Sequence, residues 1–236
     1  MESDADDSLA RRVHQVLDRI RHAAARAGRS PETVRLVAAT KTVSAERIRE
    51  GLRAGLSLLG ENRMQEALSK VALLRDLSPR WHFIGQLQRR KVRDAIGTFE
   101  LIHSVDSIEL AQEINRRAGA ADVKQAVLLE VNIAGEASKA GFQPDALMRD
   151  LGILGSMPHL RVQGLMAIPP RTAQPEEARP YFRGLREIGA RIAAEGIPSL
   201  VMQEYSMGMS HDFEVAIEEG ATLVRVGTAI FGVRNV

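Results

Sequence analysis

The stretch Val34-Arg-Leu-Val-Ala-Ala-Thr-Lys-Thr-Val-Ser44 decides how the fold is read. Its first seven residues, Val34–Thr40, have strand character and no helical period. Ser44 then stands where a helix over 45–54 needs an N-cap. The same strand-then-helix unit recurs to the end of the chain. Strand character falls at 56–59, 80–84, 100–103, 125–133, 161–168, 199–202 and 222–226, with helical patterns at 61–74, 86–96, 107–118, 144–154, 175–194, 211–219 and in a short closing segment. Ahead of the first unit, Leu9, Val13, Val16, Leu17 and Ile20 recur at helical spacing, and Gly28 is a stop signal.

Eight βα units favour a closed (β/α)8 barrel of the TIM type over an open doubly wound sheet. The expected organisation is an α/β chain with residues 1–30 as an extra helix packed on the barrel and 31–236 as the barrel, one domain overall. No Pro- or Ser-rich linker and no fixed-period repeat interrupts it.

The 236 residues are 44% hydrophobic and 26% charged, which are globular proportions. There is no cysteine, so disulfides, thiolate nucleophiles and cysteine-ligated metal are excluded. The net charge is only +2, too small an excess for a nucleic-acid signature. No segment is apolar for the length of a membrane span, and the N-terminus is acidic where a secretory signal is basic and then apolar. A cytoplasmic protein, expected to be a monomer, is the default. Arginine dominates the cations, and the five lysines are Lys41, Lys70, Lys91, Lys124 and Lys139.

In such a barrel, functional groups gather at the C-terminal ends of strands and in the loops that follow. Lys41 ends the first strand. An amine there is either a lysine snorkelling to solvent or, if desolvated in the barrel mouth, a Schiff-base nucleophile with a lowered pKa. The stretch Thr222-Leu-Val-Arg-Val-Gly-Thr-Ala-Ile-Phe-Gly232 runs a strand into a Gly-Thr pair at a helix start, which offers backbone N–H groups and a hydroxyl to an anion. Ser206-Met-Gly-Met-Ser-His-Asp212 follows the seventh strand and is a second anion-ready loop. Arg225 alternates with Val224 and Val226, so it points into the barrel if the valines face outward. A lysine for an imine, a phosphate cradle and an arginine for a ring nitrogen together describe a pyridoxal phosphate site.

The motifs Ala38-Ala-Thr-Lys-Thr42, Gly60-Glu-Asn-Arg-Met-Gln-Glu66, Trp81-His-Phe-Ile-Gly-Gln-Leu-Gln88, Gly164-Leu-Met-Ala-Ile-Pro169, Ser206-Met-Gly-Met-Ser210 and Val224-Arg-Val-Gly-Thr-Ala-Ile-Phe-Gly232 occur in this order. Across nearly the whole chain they resemble the pyridoxal phosphate homeostasis protein family, barrels similar to the N-terminal domain of alanine racemase (fold type III). The resemblance implies pyridoxal 5′-phosphate as a Schiff base on Lys41, its phosphate at Met209–Ser210 and Gly227–Thr228, and Asn62 near the ring. It also draws His82 toward the pocket. The sequence departs from the family at Arg89, Arg90 and Lys91 after Gln88, and at Tyr205 before the Ser-Met-Gly run.

His82, beside Trp81 and Phe83, otherwise reads as a core histidine with a backbone partner. His211-Asp212 reads as a helix start with an aspartate cap, because no second histidine lies at metal-ligand spacing. Arg89-Arg90-Lys91 reads as a solvated helix face, and Met166, Met207 and Met209 as packing at the barrel rim.

Three functions fit these residues. The leading one is a carrier or buffer for the coenzyme that acts in vitamin B6 homeostasis, meets apo-enzymes transiently and binds neither nucleic acid nor membrane. An arginine at the ring nitrogen is a permanent cation that does not protonate it, which weakens the ring as an electron sink. A small amino-acid racemase is the alternative. It needs an acid/base on each face of the substrate, and Tyr205 is the evident second group. The chain ends soon after the eighth strand, where a racemase continues into a second domain. A sugar-phosphate aldolase using Lys41 alone is the third.

Overall fold

The computed structural model describes residues 2–136 and 139–232, with side chains described from residue 9 onward. The elements in chain order are α1 (Glu2–Arg26), β1 (Arg35–Ala39), α2 (Ala45–Arg53), β2 (Leu58–Glu61), α3 (Met64–Leu73), β3 (Arg80–Phe83), α4 (Val92–Ala95), β4 (Leu101–Val105), α5 (Ile108–Ala120), β5 (Gln125–Glu130), α6 (Pro144–Gly155), β6 (Leu160–Met166), α7 (Arg179–Ala194), β7 (Leu200–Met209), α8 (Phe213–Glu218), β8 (Leu223–Val226) and α9 (Thr228–Phe231). The strands form a closed parallel barrel in sequence order, β1 to β8, as expected. Closure runs through the register Arg35↔Leu223 to Ala38↔Val226. The acidic side chains of the N-terminal tail, and the last four residues assigned to the barrel, lie outside the described residues.

Most strand positions are buried on both faces, and this is why the strands read as apolar runs rather than as clean alternations. Val37, Leu58, Ile84, Leu101, Ala126, Leu128, Met166 and Leu223 fill the barrel interior. The residues between them in sequence, such as Ala38, Leu59, Phe83, Ile102, Val127, Val224 and Val226, face the helices. Ser44 caps α2 by accepting from the Arg47 N–H. Leu9, Val13, Val16, Ile20 and Ala23 form the buried stripe of α1, which packs on α2, α8 and α9. Each large apolar side chain in that stripe contributes roughly 1.5–3 kcal/mol on burial. Arg19 adds a fork onto the Glu214 carboxylate and lies over the Phe213 ring.

Several boundaries differ from expectation. β2 starts at Leu58 and takes in Gly60 and Glu61, which the sequence reading gave to a turn and a helix. The helix expected over 86–96 is a 3-10 turn, Arg89–Lys91, leading into the short α4. The largest difference is β7, which continues through Ser206-Met-Gly to Met209 instead of stopping at 202. Its register with β8 shifts between Ser206 and Met209, and Gly208 there has φ 88°.

Candidate functional site

The strand order places the predicted residues side by side at one end of the barrel. Lys41 follows β1. Gly227 and Thr228 follow β8 on one side of it, and Asn62 follows β2 on the other. Ser210 follows β7, and its Oγ accepts from the N–H groups of Gly227 and Ala229 at 3.3 Å each. The Asn62 Oδ1 is buried without a hydrogen-bond partner among the described residues. Room for the Asn62 backbone comes from Gly85, where an added Cβ would stand 2.3 Å from the Asn62 carbonyl oxygen.

Two expectations for this loop cluster need correction. Lys41 is exposed and does not end the first strand: β1 stops at Ala39, and Lys41 stands beyond it in a turn. The Met209 N–H is taken by the Asp212 carboxylate at 2.7 Å, so Ser210 is the group this segment turns toward Gly227. Asp212 is the N-cap residue of α8, yet it makes this bond instead of a side-chain cap.

Arg225 points into the barrel, as the alternation required. It donates to the Ser206 carbonyl and hydroxyl and to the Ala167 carbonyl. Burial lowers its pKa to about 10, opposed by Glu130 and Asp212, so it remains a cation at neutral pH. Of its five N–H donors, these bonds leave the Nε–H and one Nη2–H without an acceptor among the described residues.

Beneath Arg225 runs a polar chain that the sequence reading missed. The Ser206 Oγ lies 2.8 Å from His103 Nδ1, and His103 Nε2 lies 2.8 Å from His82 Nδ1. His82 therefore has a histidine partner rather than the expected backbone one. It is one inward position deeper than Ile84, and its Nε2 is buried without a partner among the described residues. Burial drives the His82 pKa down to about 3 and holds His103 well below its usual value, so both rings are neutral.

A second missed group is Glu130, the last residue of β5. Burial, with Asp106 nearby, raises its carboxyl to about 7 despite Arg225. It meets the same criterion as Lys41, a polar residue ending an apolar strand. The sequence pattern extends that strand to 133, which hides Glu130 within it.

Tyr205 lies on the other side of the wall. Its hydroxyl packs on α7, where a Cβ added at Gly189 would stand 2.3 Å from the oxygen. It is half-buried against the outer core, and the expectation that it borders the mouth is overturned. Met207 likewise packs outward with the helices, and Met166 lies in the interior. Arg89 and Arg90 are exposed, as expected of a solvated segment. Among the described residues, no three His, Asp or Glu side chains are grouped to hold a metal, and no helix is long and apolar enough to cross a membrane.

A family model described as alanine racemase, N-terminal domain, matches residues 14–235. The chain is 48% identical over 224 residues to a pyridoxal phosphate homeostasis protein of Aquifex aeolicus, covering 95% of this chain and 97% of that one. It is 44% identical over 228 residues to the protein of that name from Pseudomonas aeruginosa, covering 97% and 96%. Among solved structures, PipY of Synechococcus elongatus with PLP bound superposes with a TM-score of 0.83 at 36% identity, covering 95% of this chain and 100% of that chain.

Proposed function

This chain belongs to the pyridoxal phosphate homeostasis protein family, built on the alanine racemase N-terminal domain fold, and we propose that it holds pyridoxal 5′-phosphate at the open end of its barrel. In this reading it works in the cytoplasm as a buffer or carrier, yielding coenzyme to apo-enzymes without turning over a substrate.

The residues fit that coenzyme. The exposed Lys41 amine is open to an aldehyde and is the group for a Schiff base. The backbone N–H groups of Gly227 and Ala229 converge on Ser210 at the long end of the hydrogen-bond range, an arrangement suited to a phosphate oxygen with the Thr228 hydroxyl beside it. Asn62 Oδ1 supplies a buried acceptor, and Arg225 has guanidinium N–H groups for a ring nitrogen. When bound, the coenzyme supplies a reactive aldehyde and an electron-withdrawing ring. Arg225, fixed by three bonds, donates to that ring and gives it no proton. His82, deeper in the interior, acts through the polar chain rather than at the ring.

The observation that carries the non-catalytic reading is the placement of Tyr205. The phenol that would serve the second face of an amino acid lies outside the barrel, against Gly189. The test is a pair of measurements on the loaded protein: turnover of a panel of D- and L-amino acids, and transfer of coenzyme to an apo-enzyme. Transfer without turnover is expected; steady racemisation of an ordinary amino acid overturns the reading.

Glu130 favours a second reading. A carboxyl titrating near 7 at the barrel mouth, electrostatically coupled to Arg225, is suited to general acid–base work. If racemisation is found, its loss in Glu130→Gln identifies the small racemase.

A further inference from the structure

Lys41 is the corner of a clamped turn. The Val43 N–H donates to the Thr40 carbonyl at 3.0 Å, which closes a four-residue turn with Lys41 second and Thr42 third. Thr42 has φ 61°. A positive φ at the third position marks the type II pattern, and that position is normally glycine or asparagine. Threonine is β-branched, and such residues rarely enter this region unless their surroundings hold them there. In the commoner type I turn the third residue has φ of about −90°, and the central peptide is turned over. Thr42 would be unstrained in that form.

The surroundings that select the strained form come from behind the strand. The Thr42 N–H donates to Glu66 Oε1. Glu66 is itself held by Lys70, whose ammonium donates to Glu66 Oε1 at 2.6 Å, Glu61 Oε1 at 2.7 Å and the Thr40 carbonyl at 2.6 Å. These three bonds use every hydrogen of the amine. Glu61 is fully buried and also accepts from the Thr40 hydroxyl at 2.6 Å. The network thus grips the peptide groups on both sides of Lys41, Thr40 by its carbonyl and Thr42 by its N–H. Turning the central peptide over would break the Glu66 bond and leave that carboxylate without the Thr42 N–H.

We propose that Glu66, set by Lys70 and Glu61, is a positioning residue that holds the Lys41–Thr42 peptide in its strained orientation and so presents the Lys41 amine to the coenzyme aldehyde. The inference rests on the reading of Lys41 as the coenzyme lysine.

The test is a rescue. Affinity for pyridoxal 5′-phosphate is read from the near-visible absorbance band in wild type, Glu66→Ala, Thr42→Gly and the double variant, with thermal midpoints recorded on the same samples. Glu66→Ala is expected to weaken affinity about tenfold or more, the scale of the strain it leaves unsupported. In the Thr42→Gly background, where a positive φ is free, the same substitution is expected to change affinity less than about twofold. Equal losses in both backgrounds, or no loss in either, overturn the proposal. Lys41→Ala is measured alongside. If it retains the band, the reading of Lys41 itself fails; if it loses the band while the rescue is absent, the clamp alone fails.

Discussion

His103 Nε2 lies 2.8 Å from His82 Nδ1 inside the barrel, and the direction of that bond is fixed from its far end by Arg225. A guanidinium only donates, so the Ser206 Oγ accepts from Arg225; among the described residues the one acceptor within reach of its own hydrogen is His103 Nδ1, and it donates there. His103 must then carry its proton on Nε2 and donate to His82 Nδ1. His82 in turn carries its proton on Nε2. Nitrogen chemical shifts should show both rings neutral and in the Nε2–H form at pH 7. In Ser206→Ala, Arg225 loses its hydroxyl acceptor and His103 its donor, and the His103 tautomer should no longer be unique. A charged ring, or an Nδ1–H form in the wild type, contradicts the chain.

Stability should fall as the solution is acidified. His82, held down to about 3, and His103, also held low, take up protons in the unfolded chain below about pH 6.5 while the folded rings stay neutral. The unfolded state then binds more protons, so the contribution present above pH 6.5 is lost as pH falls toward 3. Glu130 has the opposite sign. Its carboxyl is raised to about 7, so the folded state binds the extra proton between about 4.5 and 7, and stability is lost as pH rises through that window. Denaturant midpoints across pH 4–9 should therefore show Glu130→Gln gaining on the wild type above pH 7 and converging with it below pH 5.

The barrel and the direction of Arg225 were legible because a parallel strand buried on both faces leaves an unmistakable apolar run, and one charge between two valines in such a run has only the interior to enter. The end of the seventh strand was hidden. Gln203, Glu204 and Gly208 look like a loop, but the interior is polar there. Glu204 is satisfied by Arg35 and by the Thr222 hydroxyl, and Gly208 occupies a positive φ at the register shift. Lys70 was hidden for another reason. On a helical pattern a lysine reads as solvent-facing, and only the meeting of β1, β2 and α3 shows it buried between Glu61 and Glu66. Tyr205 was misplaced because adjacency in sequence to Ser206 says nothing of side, and neighbours on a strand face opposite ways.

That opposition can be tested directly. Tyr205→Phe removes a hydroxyl that lies on α7 and should leave coenzyme affinity within about twofold of wild type. Gly189→Ala sets a methyl where the Tyr205 ring now stands, with the ring's nearest carbon 2.7 Å away, and should destabilise the fold by about 1–3 kcal/mol through overpacking. Thermal unfolding and coenzyme titration on the same samples separate the two effects. A large loss of affinity in Tyr205→Phe would return that residue to the mouth.

The phosphate assignment gives the last expectation. In the loops after β7 and β8, the Ser210 Oγ bridges the Gly227 and Ala229 N–H groups, while Thr228 is exposed beside them. A phosphate oxygen entering here would take over those N–H groups and free the Ser210 hydroxyl to donate to it, with Thr228 donating from the other side. Thr228→Val keeps the shape and removes one donor to a charged group, a loss of about 1.5–3 kcal/mol, or roughly tenfold to a hundredfold in affinity. Ser210→Ala should weaken binding less. It deletes a donor but also a competitor for the backbone N–H groups, so the anion meets them unopposed. Because both hydroxyls address one phosphate, the double variant should depart from the sum of the singles by more than about 0.5 kcal/mol. Repeating the titrations with pyridoxal, which lacks the phosphate, supplies the control: the differences between variants should vanish. Equal losses for pyridoxal and its phosphate would move the anion away from these loops.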